Sequence, residues 1–332
     1  YHFVLAANFH GGEEVFNYPW DFTFDRPVDN EWWKLVGTEY AVNAQTDSPS
    51  GYSSSGNNGT NDGAEYFDFL KPSSSSTIVG VTHGADWYQI DGGRQDYMNF
   101  EKQCREVTIE LSHVKISLSP ATAGDKDDIL DMWDYNKNAY IDYLLQGTYG
   151  FRGIVKDVST NLPIKAKITV VGRDDQPLSR NSWVETDIDD GDFYRLIEAG
   201  TYDILIEADC YAPVTLSGQS ISNYQTVVLD NSPGADDTIL LTPLAATIPT
   251  NLVASSITTT TATIGWDDMG VSSYDIQYRE NGSSTWISTI SAVNSLDLTG
   301  LADNTTYEFQ VRSVCNATTS SYSSSTFKTL EI

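Results

Sequence analysis

The chain has 332 residues, 40% hydrophobic and 12% aromatic, which is enough apolar side chain for packed cores and argues against wholesale disorder. Its formal net charge of −27 argues against nucleic acid as a partner, since phosphate contacts need clustered Lys and Arg. The length points to two or three domains, and no apolar run reaches the roughly 18 residues of a membrane span.

In chain order, YHFVLAANF reads as a short buried strand leading to His10. Gly11 and Gly12 follow, then an aromatic turn that ends in NYPWD at Asp21. The chain starts with Tyr, inside this strand, so an upstream part is expected to be missing and the lack of a signal peptide carries no weight. DNEWWKLVGTEYAVNAQ predicts a helix with an Asp or Asn cap and with Trp32, Val36 and Tyr40 on one face. Residues 46–77 turn to Ser, Gly and Asn and predict a long surface loop. GADWYQIDGGRQDY holds an aromatic pair, Trp87 and Tyr88, that would cover a core edge, and then a turn at Gly92-Gly93.

REVTIELSHVKI alternates as a strand, with Val107, Ile109 and Leu111 on one side and Thr108, Glu110 and Ser112 on the other. Glu101 and Glu106 read as solvated. DDILDMWDYNKNAYIDYLLQ predicts an amphipathic helix whose apolar stripe is Ile129, Trp133, Tyr140, Ile141, Leu144 and Leu145. From Gly147 to Pro243 short alternating runs broken by Gly, Pro and Asp predict a small antiparallel sandwich. PLAATIPTN is a linker. The last segment predicts a second all-β unit, with Trp266 in its core and Tyr307 at a tyrosine corner. Cys104, Cys210 and Cys315 lie far apart and read as buried small hydrophobes, with no disulfide between them.

His10, at a strand end beside two glycines, reads either as a histidine satisfied by a backbone carbonyl or as a ligand of a catalytic zinc. Such a zinc takes three protein ligands and keeps one position for water. Glu110, a carboxylate among apolar neighbours, is the candidate to accept the proton of that water. An H-x-x-E pair of His10 with Glu13 is the weaker reading, because the intervening glycines hold two ligands loosely and a third ligand is absent. His83 is placed near the site by its neighbours, whereas His2 and His113 read as structural. Asp21 reads either as a turn residue or as the partner of a cationic group.

ANFHGGEEVFNYPWD, GADWYQIDGGRQDYMNF and CREVTIELS resemble the M14 metallocarboxypeptidases, in particular the regulatory (carboxypeptidase N/E/D-like) subfamily. The resemblance implies a multidomain chain. An α/β carboxypeptidase-type catalytic domain, N-terminally truncated, would occupy residues 1–146, a transthyretin-like β-sandwich 147–244 and a fibronectin type III-like sandwich 249–330. It implies Zn2+ with His10 as one metal ligand and Glu110 as the catalytic residue that activates water. Tyr88 would close over the substrate, and Asp21 and Gln95 would shape a pocket for C-terminal Arg or Lys. The remaining H-x-x-E ligand pair and the carboxylate-binding arginines have no counterpart in this sequence. His83 stands where many relatives carry Asn, and residues 46–77 are longer than in typical relatives.

The expected partners are peptide or protein C-termini, with a possible surface or carbohydrate contact through the last module, and the expected location is extracellular. Two rival readings are an inactive family member that binds peptides and an adhesive β-module protein. If Asp21 points away from the pocket, hydrophobic C-termini would be preferred.

Overall fold

The computed structural model describes residues 3–49, 66–67, 79–112, 129–178, 180, 182–231, 237–315 and 318–331. Backbone contacts divide the chain into two compact units. The first comprises residues 1–156, 163–206 and 214–240, and the second comprises 157–162, 207–213 and 241–332. No helix among the described residues is long and apolar enough to cross a membrane.

The first unit opens with a four-stranded sheet built from β1 (Leu5–His10), β2 (Glu13–Tyr18), β3 (Val81–His83) and β4 (Arg105–Ser112), in the order β1-β4-β2-β3. β1 runs parallel to β4, and β2 is antiparallel to β4. Helices α1 (Asn30–Asp47) and α4 (Ile129–Gln146) pack on each other, while the short α2 (Gly84–Trp87) and α3 (Arg94–Glu101) lie between β3 and β4 in the chain. Phe16, Trp32, Trp33, Tyr40, Val107, Ile109 and Tyr143 share one core. Gly37 lets α1 approach the sheet, because a Cβ there would stand 2.8 Å from Phe16 Cδ1 and 2.9 Å from Val81 Cγ1.

Several expectations are corrected at this level. The fully buried strand is β2, read in the sequence as an aromatic turn, whereas β1 is an edge strand among the described residues, half-buried up to Asn8 and exposed at Phe9 and His10. Glu13 and Glu14 mask the strand pattern of β2, yet both are buried within it. Thr46 and Asp47 belong to α1, and Tyr66 and Phe67 are buried; most of the expected surface loop lies outside the described residues, as do His2 and His113.

The stripe expected on α4 is out of phase, apart from Tyr140, which packs against the core. Met132, Tyr135, Asn136, Ala139 and Tyr143 are buried, while Trp133 and Leu144 are 56% and 66% exposed. The buried ridge can hydrogen-bond: Asn136 accepts from Tyr40 Oη at 2.9 Å and donates to Tyr66 Oη at 2.7 Å. Tyr66 Oη also donates to the Leu111 carbonyl at 2.7 Å, so Asn136 links the two buried tyrosines in one network.

The expected sandwich between Gly147 and Pro243 is present as two sheets, but it is not wholly antiparallel, since Thr226–Val228 pairs in parallel with Gly150–Arg152. Its strands are β5 (Gly150–Asp157), β6 (Lys167–Val170), β7 (Val184–Glu185), β8 (Asp192–Arg195), β9 (Gly200–Glu207), β10 (Val214–Ile221), β11 (Thr226–Val228) and β12 (Thr238–Leu241). One sheet runs β10-β9-β6-β7 and the other β11-β5-β12, with β8 paired to β5.

Within the first unit, the two architectures meet through one buried ionic cluster. Asp29 occupies the N-cap position of α1 but makes no capping hydrogen bond. Its carboxylate instead meets Arg195 at 2.9 Å, Arg173 at 2.9 Å and Arg105 at 2.8 Å. Arg195 also pairs with Asp174 at 2.7 Å and Arg173 with Glu198 at 2.8 Å, so three guanidinium groups face three carboxylates. Burial alone would push the Asp29 carboxyl up, but Arg195, Arg105 and Arg173 outweigh it and hold it well below the usual carboxylate range.

The second unit carries β13 (Val253–Ser255), β14 (Thr261–Gly265), β15 (Ser273–Glu280), β16 (Ile287–Ser291), β17 (Ser295–Thr299), β18 (Thr306–Cys315), β19 (Thr318–Thr319) and β20 (Ser323–Lys328). They form sheets β13-β14-β17 and β16-β15-β18-β19, with β20 on β18. Trp266 is in the core, and Tyr307 Oη accepts the Ala302 N–H at 2.9 Å, closing the expected corner. The reading of three separate thiols is overturned: Cys210 and Cys315 form a disulfide with Cα atoms 5.4 Å apart. A separation of 105 residues hid the pair, because sequence distance says nothing about the fold that joins them. Cys104 is free and buried.

Removing one partner of the buried cluster strands the others without compensation. Asp29→Asn and Arg195→Met are each expected to lower the unfolding free energy by about 3–5 kcal/mol in urea titrations. Arg26→Ala, which breaks the exposed Arg26–Asp86 pair, is expected to cost less than about 1 kcal/mol. Equal costs in the two sets would show that the cluster is not a principal support.

Candidate functional site

β1 and β4 run parallel with His10 opposite Glu110, so their side chains leave the same face of the sheet. His10 Nδ1 lies 2.9 Å from Glu110 Oε2. The imidazole is 56% exposed while Glu110 is 5% exposed, so the carboxylate is held and the ring is presented to solvent. The reading of His10 as a histidine satisfied by a backbone carbonyl is replaced by this contact. Glu13, on β2, is in register with Ser112 of β4 rather than Glu110.

Two residues further down the same face, Asn8 donates to Glu106 at 2.6 Å, and Arg94 reaches Asn8 at 2.7 Å and Glu106 at 3.1 Å. Glu106 is therefore buried and paired, not solvated as expected. Burial pushes its carboxyl up, against the pull of Arg94.

β2 ends at Tyr18, and the chain turns through a cis Pro19–Trp20 bond into Asp21. Asp21 is 4% exposed. Its Oδ1 accepts from Asn17 Nδ2 and from Gln95 Nε2, both at 3.2 Å. Having turned their donors to Asp21, Asn17 Oδ1 and Gln95 Oε1 are buried and find no donor among the described residues. Three acceptor groups thus gather with donors in short supply. Burial, and next the Asp96 charge, push the Asp21 carboxyl up to about 6, against the Asn17 hydrogen bond.

Tyr88 follows α2 and is 52% exposed, its ring 4.8 Å from that of Trp87, so the pair does not cover a core edge as expected. Burial pushes its phenol up first, then the charges of Glu110 and Asp21, which places all three in one electrostatic neighbourhood. His83 is buried behind this surface, with Nε2 accepting the Trp20 N–H at 3.1 Å. Burial, then Arg26, push it down to about 4, so it stays neutral at physiological pH.

The structure therefore gathers Asp21 with Gln95, and His10 with Glu110. Sequence reasoning missed Asn17 and Asp96. Asn17 sits four residues before Asp21 on a strand that went unread, and Asp96 follows Gln95 in an ordinary helical turn. Neither position carries a pattern that singles it out.

A catalytic zinc would need more than these residues offer. Among the described residues no group of three or more His, Cys, Asp or Glu side chains converges for a metal. His10 has two ring nitrogens, of which Nδ1 is the one that meets Glu110, and the ring counts as one metal ligand at most. By themselves the described residues do not complete a zinc site.

The zinc carboxypeptidase (peptidase M14) model matches residues 1–139, and the fibronectin type III model matches residues 247–329. The chain is 28% identical to carboxypeptidase E of Caenorhabditis elegans, over 71% of this chain and 48% of that protein. It is 31% identical to human carboxypeptidase D over 65% of this chain and 14% of that protein. It is 30% identical to chicken carboxypeptidase Z, over 64% of this chain and 29% of that protein. The chain thus spans about half, or less, of the length of these relatives. Residues 1–139 thus form a zinc carboxypeptidase (peptidase M14) segment by this match, with a fibronectin type III domain at residues 247–329.

Proposed function

We propose that the gene product is a zinc carboxypeptidase that removes C-terminal Arg or Lys from peptides and proteins. The observation that carries this reading is the acceptor-rich setting of Asp21, where Asn17 Oδ1 and Gln95 Oε1 are buried without donors among the described residues. Arg brings five N–H donors and Lys three, each with a positive charge, whereas an aromatic side chain brings neither. An unpaired buried acceptor costs about 1–3 kcal/mol, and a cationic ligand would remove that cost while an apolar one would not.

In this reading Glu110 takes a proton from the attacking water and passes it to the leaving amine. Its contact with His10 fits a role beside one metal ligand. The other ligands have no counterpart in this sequence, and no step through the metal is derived. Tyr88, half exposed near Glu110 and Asp21, closes over the bound terminus. The sandwich of residues 147–244 is a transthyretin-like folding partner, a role supported by the Asp29 cluster. The fibronectin type III domain is a spacer or a contact to a surface or carbohydrate. Secretion is supported by the Cys210–Cys315 disulfide, since such bonds persist in oxidising compartments.

In assays of the full gene product, kcat/KM for peptides ending in Arg or Lys is expected to exceed that for a matched Phe peptide by roughly tenfold or more. 1,10-Phenanthroline is expected to abolish turnover. Preference for Phe would remove the role given to Asp21, and indifference to the chelator would remove zinc. Arginine-peptide binding without turnover would favour the inactive binding protein.

Glu110→Gln is expected to retain metal, read by mass spectrometry of bound zinc, while turnover falls by about 10²–10⁴. Loss of metal together with activity would assign Glu110 a structural role instead.

The raised carboxyl of Asp21 also makes a stability prediction. The folded state holds this proton more tightly than the unfolded chain, so ionisation costs stability. The cost is absent below the ordinary value of 3.8, grows towards about 6 and is complete above it. Asp21→Asn is expected to stabilise the protein by about 2–3 kcal/mol at pH 8 and by nothing at pH 3.5, read by urea titration at both values. For the same reason, KM for an Arg peptide is expected to rise as pH falls below about 6.

A further inference from the structure

Asp21 can select a cation only where the turn that carries it is held, and that turn is held by groups outside the pocket. The N–H groups of Asp21 and Phe22 both donate to the Asp96 carboxylate, at 3.0 Å and 3.1 Å. Asp96 is 8% exposed and comes from α3, one residue beyond Gln95, so one helix turn carries both a group that touches the Asp21 carboxylate and the group that grips its backbone. On the other side, Ala85 N–H donates to Trp20 O at 2.9 Å and Ile90 N–H donates to Asp21 O at 3.1 Å.

Gly84 opens α2 directly beneath the carboxylate. A Cβ on Gly84 would overlap Asp21 Oδ1 and stand 2.9 Å from Asp21 Cγ and 3.0 Å from Asp21 Cα. Gly84 is not among the residues with positive φ, so its backbone conformation is open to any L-residue. Space alone demands glycine here. At Gly93, by contrast, a Cβ would sit 3.5 Å from Asp21 Oδ2, an ordinary contact.

We propose that Gly84 and Asp96 are positioning residues that determine specificity. Gly84 leaves the volume that the Asp21 carboxylate fills, and Asp96 fixes the backbone from which that carboxylate projects. The proposal rests on the reading that Asp21 selects a basic side chain.

The test is the ratio of kcat/KM for matched peptides ending in Arg and in Phe, measured on the full gene product and on Gly84→Ala, Asp96→Asn and Asp96→Glu. The ratio is expected to fall by roughly tenfold or more in Gly84→Ala and Asp96→Asn, through a rise in KM for the Arg peptide, and to recover in part in Asp96→Glu. A ratio unchanged in a folded Gly84→Ala protein, with folding checked by thermal unfolding, overturns the proposal. Where Gly84→Ala does not fold, the ratio in Asp96→Asn decides in the same way. A wild-type protein indifferent to Arg would remove the role of Asp21 itself, and the positioning role with it. If neither peptide is turned over, calorimetric affinities for the two peptides replace the kinetic ratio, with the same tenfold criterion.

Discussion

The carboxylate of Asp29 joins three parts of the first unit, because three guanidinium groups from different segments converge on it. It sits where α1 begins, and its three guanidinium partners come from the start of β4 and from two points in the sandwich. β4 is the strand that ends near Glu110, so the cluster anchors one end of the strand and the candidate chemistry lies at the other. Desolvating so many charges is costly, and the arrangement is tolerable because every charge is matched. Leu196, which follows Arg195, also joins the core of the carboxypeptidase-type sheet, so the ionic and apolar contacts between the two architectures are made by adjacent residues.

The candidate site works by the opposite principle. Around Asp21, polar groups are buried with their acceptor atoms left over, and the carboxyl is pushed up by burial and by Asp96 instead of being relieved by a cation. Sites that bind charged ligands commonly hold such unfavourable groupings, because the ligand supplies what the protein withholds. Asp29 and Asp21 are both buried aspartates, and the contrast between them separates architecture from recognition. One is saturated with guanidinium groups of its own chain, and the other, among the described residues, meets the Asn17 and Gln95 amides and lies by the Asp96 carboxylate.

Much of this was legible in the sequence where chemistry and local pattern coincide. The alternation of REVTIELS defined β4 and put Glu110 on the face opposite Val107 and Ile109, and the register with β1 then brought His10 to it. The two β-sandwich segments were legible because Gly, Pro and Asp punctuate short alternating runs. The roles of Asp21 and Gln95 came from resemblance, not from pattern.

What stayed hidden depended on three-dimensional partners. β2 was obscured by two glutamates that are buried regardless, Glu106 gave no sign that Asn8 and Arg94 would meet it, and α4 turned inward a ridge on which Asn136 meets Tyr40 and Tyr66. Asp29 looked like a helix cap because a cap aspartate and a buried ion-pair aspartate are the same residue at the same position until the arginines are placed.

The turn that holds Asp21 has a thermodynamic corollary. A side chain with a carboxyl near 6 is partly protonated in mildly acidic surroundings, and a cation that settles against it must first expel that hydrogen. Association would then release acid into the medium, and the heat measured would vary with the ionisation enthalpy of the buffer. A molecule built this way would grip its ligand in neutral fluid and loosen it in an acidifying compartment, with no moving part required.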